Sequence, residues 1–96
     1  MQPLSISEIN ENLEKLPDWN LEDVGRIITR NFKFEDFKEA VDFVNKVSEI
    51  AEAEQHHPDI RIYDYNNVEI KLTTHSAQGL TEKDFDVALR IDELGK

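Results

Sequence analysis

Three histidines, His56, His57 and His75, fall in one window of twenty residues and are the only imidazoles in the chain. Imidazole titrates near neutral pH and can give or take a proton, so a group of them suits acid–base work on a small molecule. Glu52 precedes His56 by four residues, which on a helix would put carboxylate and imidazole on one face within bonding reach. Glu52, Glu54 and Asp59 also crowd the histidine pair with negative charge that favours the imidazolium, so Glu52 is expected to tune His56. Each feature has an ordinary structural reading beside the chemical one. His56 and His57 can simply form a polar helix end whose charge suits the dipole, Glu52 a solvated surface pair, and His75 an exposed strand position. Asp84 stands third after Thr81, the capping-box position, and is assigned to holding a helix start. Trp19, the sole tryptophan, is read first as a core anchor, although an aromatic at a hairpin start can also stack on a ligand. Metal binding fits poorly. Adjacent helical histidines diverge by roughly 100°, and neither HxH, HxxxH nor HExxH spacing occurs.

The elements that must position these residues follow from periodicity. Ser5 and Glu8 form a capping box with Leu4 and Ile9 as its staple, and Ile6, Ile9, Leu13 and Leu16 recur at helical spacing until Pro17. Trp19 to Leu21 and Arg26 to Phe34 read as a hairpin turning through Glu22 to Gly25. Phe37, Ala40, Val41, Val44, Val47 and Ala51 form one helical stripe, entered through Glu35 and Asp36 and stopped near Gln55 or His56 by Pro58. A second hairpin is expected from Ile60 to Tyr65 and from Val68 to His75 around Asn66-Asn67, with His75 on its polar face. A bulge near Tyr63 or Asp64 would reconcile the change of parity along the first of these strands. A last helix runs from the Thr81–Asp84 cap, with Leu80 and Phe85 as its staple, to a C-cap at Gly95. The order is αββαββα, an α+β fold with a four-stranded antiparallel sheet and three helices packed on one face, in a single domain spanning 1–96.

Composition bounds the function. Ninety-six residues with 21 acidic and 11 basic side chains carry a formal charge of −10, which disfavours nucleic acid as a partner. The absence of cysteine removes disulfides, thiolate metal sites and cysteine nucleophiles. Neither a membrane span nor a secretory leader is legible, so a soluble, unexported, cytoplasmic protein is expected. A chain this short holds one modest core that association would help to stabilise.

The run Glu52-Ala53-Glu54-Gln55-His56-His57-Pro58, then Tyr65, Thr74-His75, Gly79-Leu80-Thr81 and Asp84, resembles the signature of the pterin-4a-carbinolamine dehydratases. The similarity extends upstream through Pro17-Asp18-Trp19 and Phe32-Lys33-Phe34-Glu35-Asp36-Phe37 to nearly the whole chain, and that family's αββαββα fold agrees with the order read above. The resemblance implies dehydration of a 4a-hydroxytetrahydropterin to quinonoid dihydropterin and water, in recycling of the tetrahydrobiopterin cofactor of aromatic amino acid hydroxylases. It implies a catalytic set of His56, His57, His75 and Glu52. His56 and His75 would be acids on opposite faces of the pterin, His57 would bind and orient it, and Glu52 would support His56. Substrate contacts would come from His56, His57, Pro58, Thr74, His75, Ser76, Ala77 and Trp19, with Asp84 as a cap beside the site. No metal and no cofactor is implied, and a homodimer or homotetramer is. Two alternatives stand beside this reading: a non-catalytic dimeric interaction module of the dimerisation-cofactor kind, and a histidine-ligated, metal-dependent hydrolase.

Overall fold

The computed structural model describes residues 2–94. Its helices begin where the sequence supplies acceptors for their free N–H groups. The Ser5 hydroxyl caps α1 (Ile6–Leu13) by accepting the Glu8 N–H, and the Glu8 carboxylate accepts the Ser5 N–H at 2.8 Å. That backbone bond is the main reason the Glu8 carboxyl is held below the usual glutamate range. Asp36 caps α2 (Phe37–Glu54) by accepting from the Glu39 N–H at 2.8 Å. At the other end Gln55 turns left-handed at φ 51°, and the Gln55 and His56 N–H groups bond back to Glu52 and Ala51. This Schellman closure makes His56 the first residue clear of the helix. α3 (Glu82–Leu94) follows Thr81, and the expected cap at Gly95 lies outside the described residues.

The four strands are β1 (Asn20–Glu22), β2 (Ile27–Lys33), β3 (Asp59–Tyr63) and β4 (Asn67–Leu72), paired antiparallel throughout in the order β1-β2-β4-β3. Register puts Ile28 opposite Leu72, Phe32 opposite Val68, and Ile60 and Ile62 opposite Ile70 and Val68. These apolar residues share one face, because side chains alternate along a strand. The helices close over that face with Ile9 from α1, Ala40, Phe43 and Val47 from α2, and Phe85, Val87, Ala88 and Ile91 from α3. The α+β fold and element order are those expected. No described helix is long and apolar enough to cross a membrane.

Several local expectations are corrected. Phe37 is exposed, and the aromatic core member of α2 is Phe43, whose ring tilts against Phe32 and Phe34 at centroid distances of 4.7 and 5.0 Å. The second hairpin turns one step earlier than Asn66-Asn67, through left-handed Asp64 and Tyr65. Asn66 is instead buried, its amide donating to the Phe34 carbonyl at 2.8 Å. The β3–β4 ladder runs unbroken from Asp59 opposite Lys71 to Tyr63 opposite Asn67, so no bulge occurs. Parity is satisfied because Tyr63 lies on the polar face and donates to Asn31 across the sheet, while Tyr65 leaves the strand for the turn. β4 also ends at Leu72 rather than His75. A Thr74–Gly79 bridge encloses a 3₁₀ turn over His75–Ala77, closed by left-handed Gln78 at φ 57°. A Cβ on Gly79 would come within 3.0 Å of the Pro3 ring, so glycine there lets the N-terminal segment lie against the turn. Leu4 N–H then bonds the Leu80 carbonyl at 2.8 Å.

Ile70 is fully buried between Arg30 and Ile60 in the sheet. Ile70→Ala should lower stability by about 2–5 kcal/mol, read as a reduced urea midpoint with an unchanged slope.

Candidate active site

Asp84, in the first turn of α3, has no solvent exposure, and a carboxylate so placed requires partners. Its Oδ2 accepts the Thr81 N–H at 2.9 Å and the Thr74 hydroxyl at 2.7 Å. Since Thr74 spends its hydrogen on Asp84, the Thr81 hydroxyl donates to Thr74 across 2.9 Å. Oδ1 lies 2.6 Å from His56 Nε2. A carboxylate already taking two donors serves as acceptor here too, so Nε2 carries the hydrogen and the tautomer is fixed. Nδ1 is left without a protein partner. No buried polar side-chain atom among the described residues lacks a partner, so Nδ1 reaches the surface of a ring that is 11% exposed. The arrangement presents one imidazole nitrogen for proton exchange and anchors the other.

Glu52 does not support His56, contrary to the helical spacing argument. Its carboxylate lies 2.5 Å from His57 Nε2, with both side chains exposed. The left-handed Gln55 is the cause: it breaks the helix before His56, so the i,i+4 geometry never reaches that residue. Pro58, half-buried, follows directly and leads into β3. His75 opens the 3₁₀ turn and is exposed, next to Thr74, whose hydroxyl is bound to Asp84. His56 and His75 are therefore linked through Asp84 and one peptide unit. In the same turn Ser76 is exposed and Ala77 is buried. His75 also lines a groove of about 360 Å³ with Asp23, Arg26, Ile27, Thr73 and Gln78.

Trp19 is not joined to this network. It is 5% exposed, and its indole N–H donates to Asp92 at 2.8 Å, an acceptor shared with Arg30 at 2.7 Å. It is a core anchor at the foot of α3. Among the described residues no three His, Cys, Asp or Glu side chains converge as metal ligands. Asp84 is the residue whose part the sequence understated. A capping box takes Glu or Gln at its third position, so the shorter Asp was a visible departure. The Thr74 and Thr81 hydroxyls carried no comparable signal.

Comparison with known proteins points to one family. Residues 2–94 match the family described as Pterin 4 alpha carbinolamine dehydratase. A relative from Sulfurisphaera tokodaii that carries that name is 50% identical over 94 residues, 98% of each chain. Another, from a Cyanothece species, is 55% identical over 95 residues, covering 99% of this chain and 95% of its own. The crystal structure of a transcriptional coactivator/pterin dehydratase from Brucella melitensis aligns with a TM-score of 0.91 at 38% identity, over 99% of this chain and 100% of its own. A pterin dehydratase-like protein identified as a RuBisCO assembly factor in the alpha-carboxysome shares the fold, with a TM-score of 0.68 at 20% identity over 80% of this chain and 88% of its own.

The two carboxylate–imidazole pairs separate cleanly in solution. Glu52→Gln should move the ¹⁵N resonances of His57 and leave those of His56 in place; a change confined to His56 would reverse the pairing.

Proposed function

This chain belongs to the pterin 4 alpha carbinolamine dehydratase family, and we propose that it dehydrates a 4a-hydroxytetrahydropterin to the quinonoid dihydropterin by histidine acid–base catalysis without a metal. The observation that carries this reading is the His56 ring, fixed by buried Asp84 and left with a free Nδ1 at the surface. In the reaction the C4a–oxygen bond breaks as an acid protonates the leaving hydroxyl, which departs as water. The N5 lone pair relieves the cation that forms, and loss of the N5 proton to a base completes the C4a=N5 double bond. An imidazole suits both transfers, giving a proton as the cation and taking one as the neutral ring. His56 and His75 are assigned these transfers, and His57, braced by Glu52, binds and orients the ring. Pro58 and the segment Thr74 to Ala77 bear on the substrate. Trp19 acts through the fold. The physiological setting is tetrahydrobiopterin recycling in the cytoplasm.

A second reading, an interaction module, is favoured by one finding, the coactivator designation of the Brucella melitensis structure. Self-association fits either reading, because β1 and β3 leave the outer edges of the sheet unpaired.

His56→Ala and His75→Ala should each stay folded and slow dehydration by about 10²–10⁴-fold. Full activity of the double variant with both C4a epimers would refute the assignment. Prolonged chelation should leave the wild-type rate unchanged, whereas loss on chelation and recovery with zinc would establish metal dependence. Sedimentation should show a dimer or tetramer, and a monomer at both low and physiological salt would contradict it.

A further inference from the structure

The groove beside His75 contains two charged side chains that the dehydration scheme does not use. Asp23 and Arg26, the first and last residues of the β1–β2 turn, both line it together with Ile27, Thr73 and Gln78. Among the described residues neither takes part in an ion pair, although the other ion pairs engage Arg30, Arg61, Arg90, Glu52 and Asp84. The turn holding them is unusual. Asp23, Val24 and Gly25 are all left-handed, at φ 53°, 53° and 82°. Val24 is β-branched, and this backbone costs such a residue on the order of 1–2 kcal/mol. Its side chain is 92% exposed, so no packing offsets that cost. Strain that packing does not explain concentrates at ligand sites.

Resting on the dehydratase reading, we propose that this groove selects the pyrimidine half of the substrate, with Asp23 as its specificity residue. A pterin presents two adjacent donors on that ring, N3–H and the 2-amino group, and a carboxylate accepts such a pair with both oxygens. Its neighbouring 4-oxo group is an acceptor suited to the Arg26 guanidinium. The donor–donor–acceptor edge of a pterin thus meets a carboxylate and a guanidinium in a groove shared with His75, which the dehydration scheme assigns to the reacting half. A volume of about 360 Å³ is within the range for a small heterocycle.

The test compares 7,8-dihydropterin with 7,8-dihydrolumazine, which has a 2-oxo group in place of the amine, by equilibrium binding to the full chain. Wild type should favour the pterin by about 10–100-fold, the worth of hydrogen bonds to a charged acceptor. Asp23→Asn, whose amide can donate to a 2-oxo group and tolerates left-handed backbone, should shrink that preference to about threefold or less and raise KM for the carbinolamine about tenfold. An unchanged preference and KM in Asp23→Asn, with active wild type, would overturn the role of Asp23 and leave the dehydratase reading standing. A wild-type protein that neither binds dihydropterin nor dehydrates the carbinolamine would overturn both.

Discussion

The Asp84 carboxylate is the constraint on which the rest of the site depends. Removed from water and unpaired, it would cost several kcal/mol, so the fold must bring donors to it. Those donors come from three separate places: the Thr81 N–H at the start of α3, the Thr74 hydroxyl after β4, and His56 after α2. One buried group thereby joins the ends of two helices and a strand. Replacing it by an apolar residue would leave Thr74 and the Thr81 N–H without acceptors, so the network is held together from both sides.

Two left-handed glutamines decide where the imidazoles stand. Gln55 closes α2 one residue before His56, and Gln78 closes the short turn that His75 opens. Gln55 ends its helix just where a histidine is needed off the helix axis, and Gln78 fixes the far end of the turn that carries His75. The helices and sheet beneath are rigid, with Val47, Val68, Ile70 and Leu72 fully buried, so the histidines sit on short loops fixed at both ends. Polar groups mounted this way keep their orientation without reorganising during proton transfer.

Much of this architecture was legible in the sequence. The Ser5–Glu8 box, the Ala40, Val47 and Ala51 positions of the α2 stripe and the alternation of Val68, Ile70 and Leu72 each have a strong periodic or capping signature, and each appears where expected. Two of the failures share a cause. Tyr65 and the Glu52–His56 pair were both placed by extending a regular period past a left-handed residue, Asp64 and Gln55 respectively. Period-based reasoning cannot see a left-handed residue when it is Gln, Asp or Tyr rather than Gly, and those residues end the elements here. The link between Asp84 and His56 spans 28 positions in the chain and has no local signature at all. It emerges only when α3 packs beside the end of α2.

The central claim is that buried Asp84 orients His56 for proton transfer, rather than merely capping α3. It is tested most directly by stopped-flow measurement of quinonoid dihydropterin formation from freshly generated 4a-hydroxytetrahydropterin, comparing wild type with a folded Asp84→Asn variant. The amide can still cap the helix through its oxygen but cannot hold the imidazole tautomer as a carboxylate does. Dehydration should be accelerated by wild type and slowed about 10²-fold or more in Asp84→Asn. Equal rates for the two proteins, with the variant's thermal unfolding unchanged, would contradict the account.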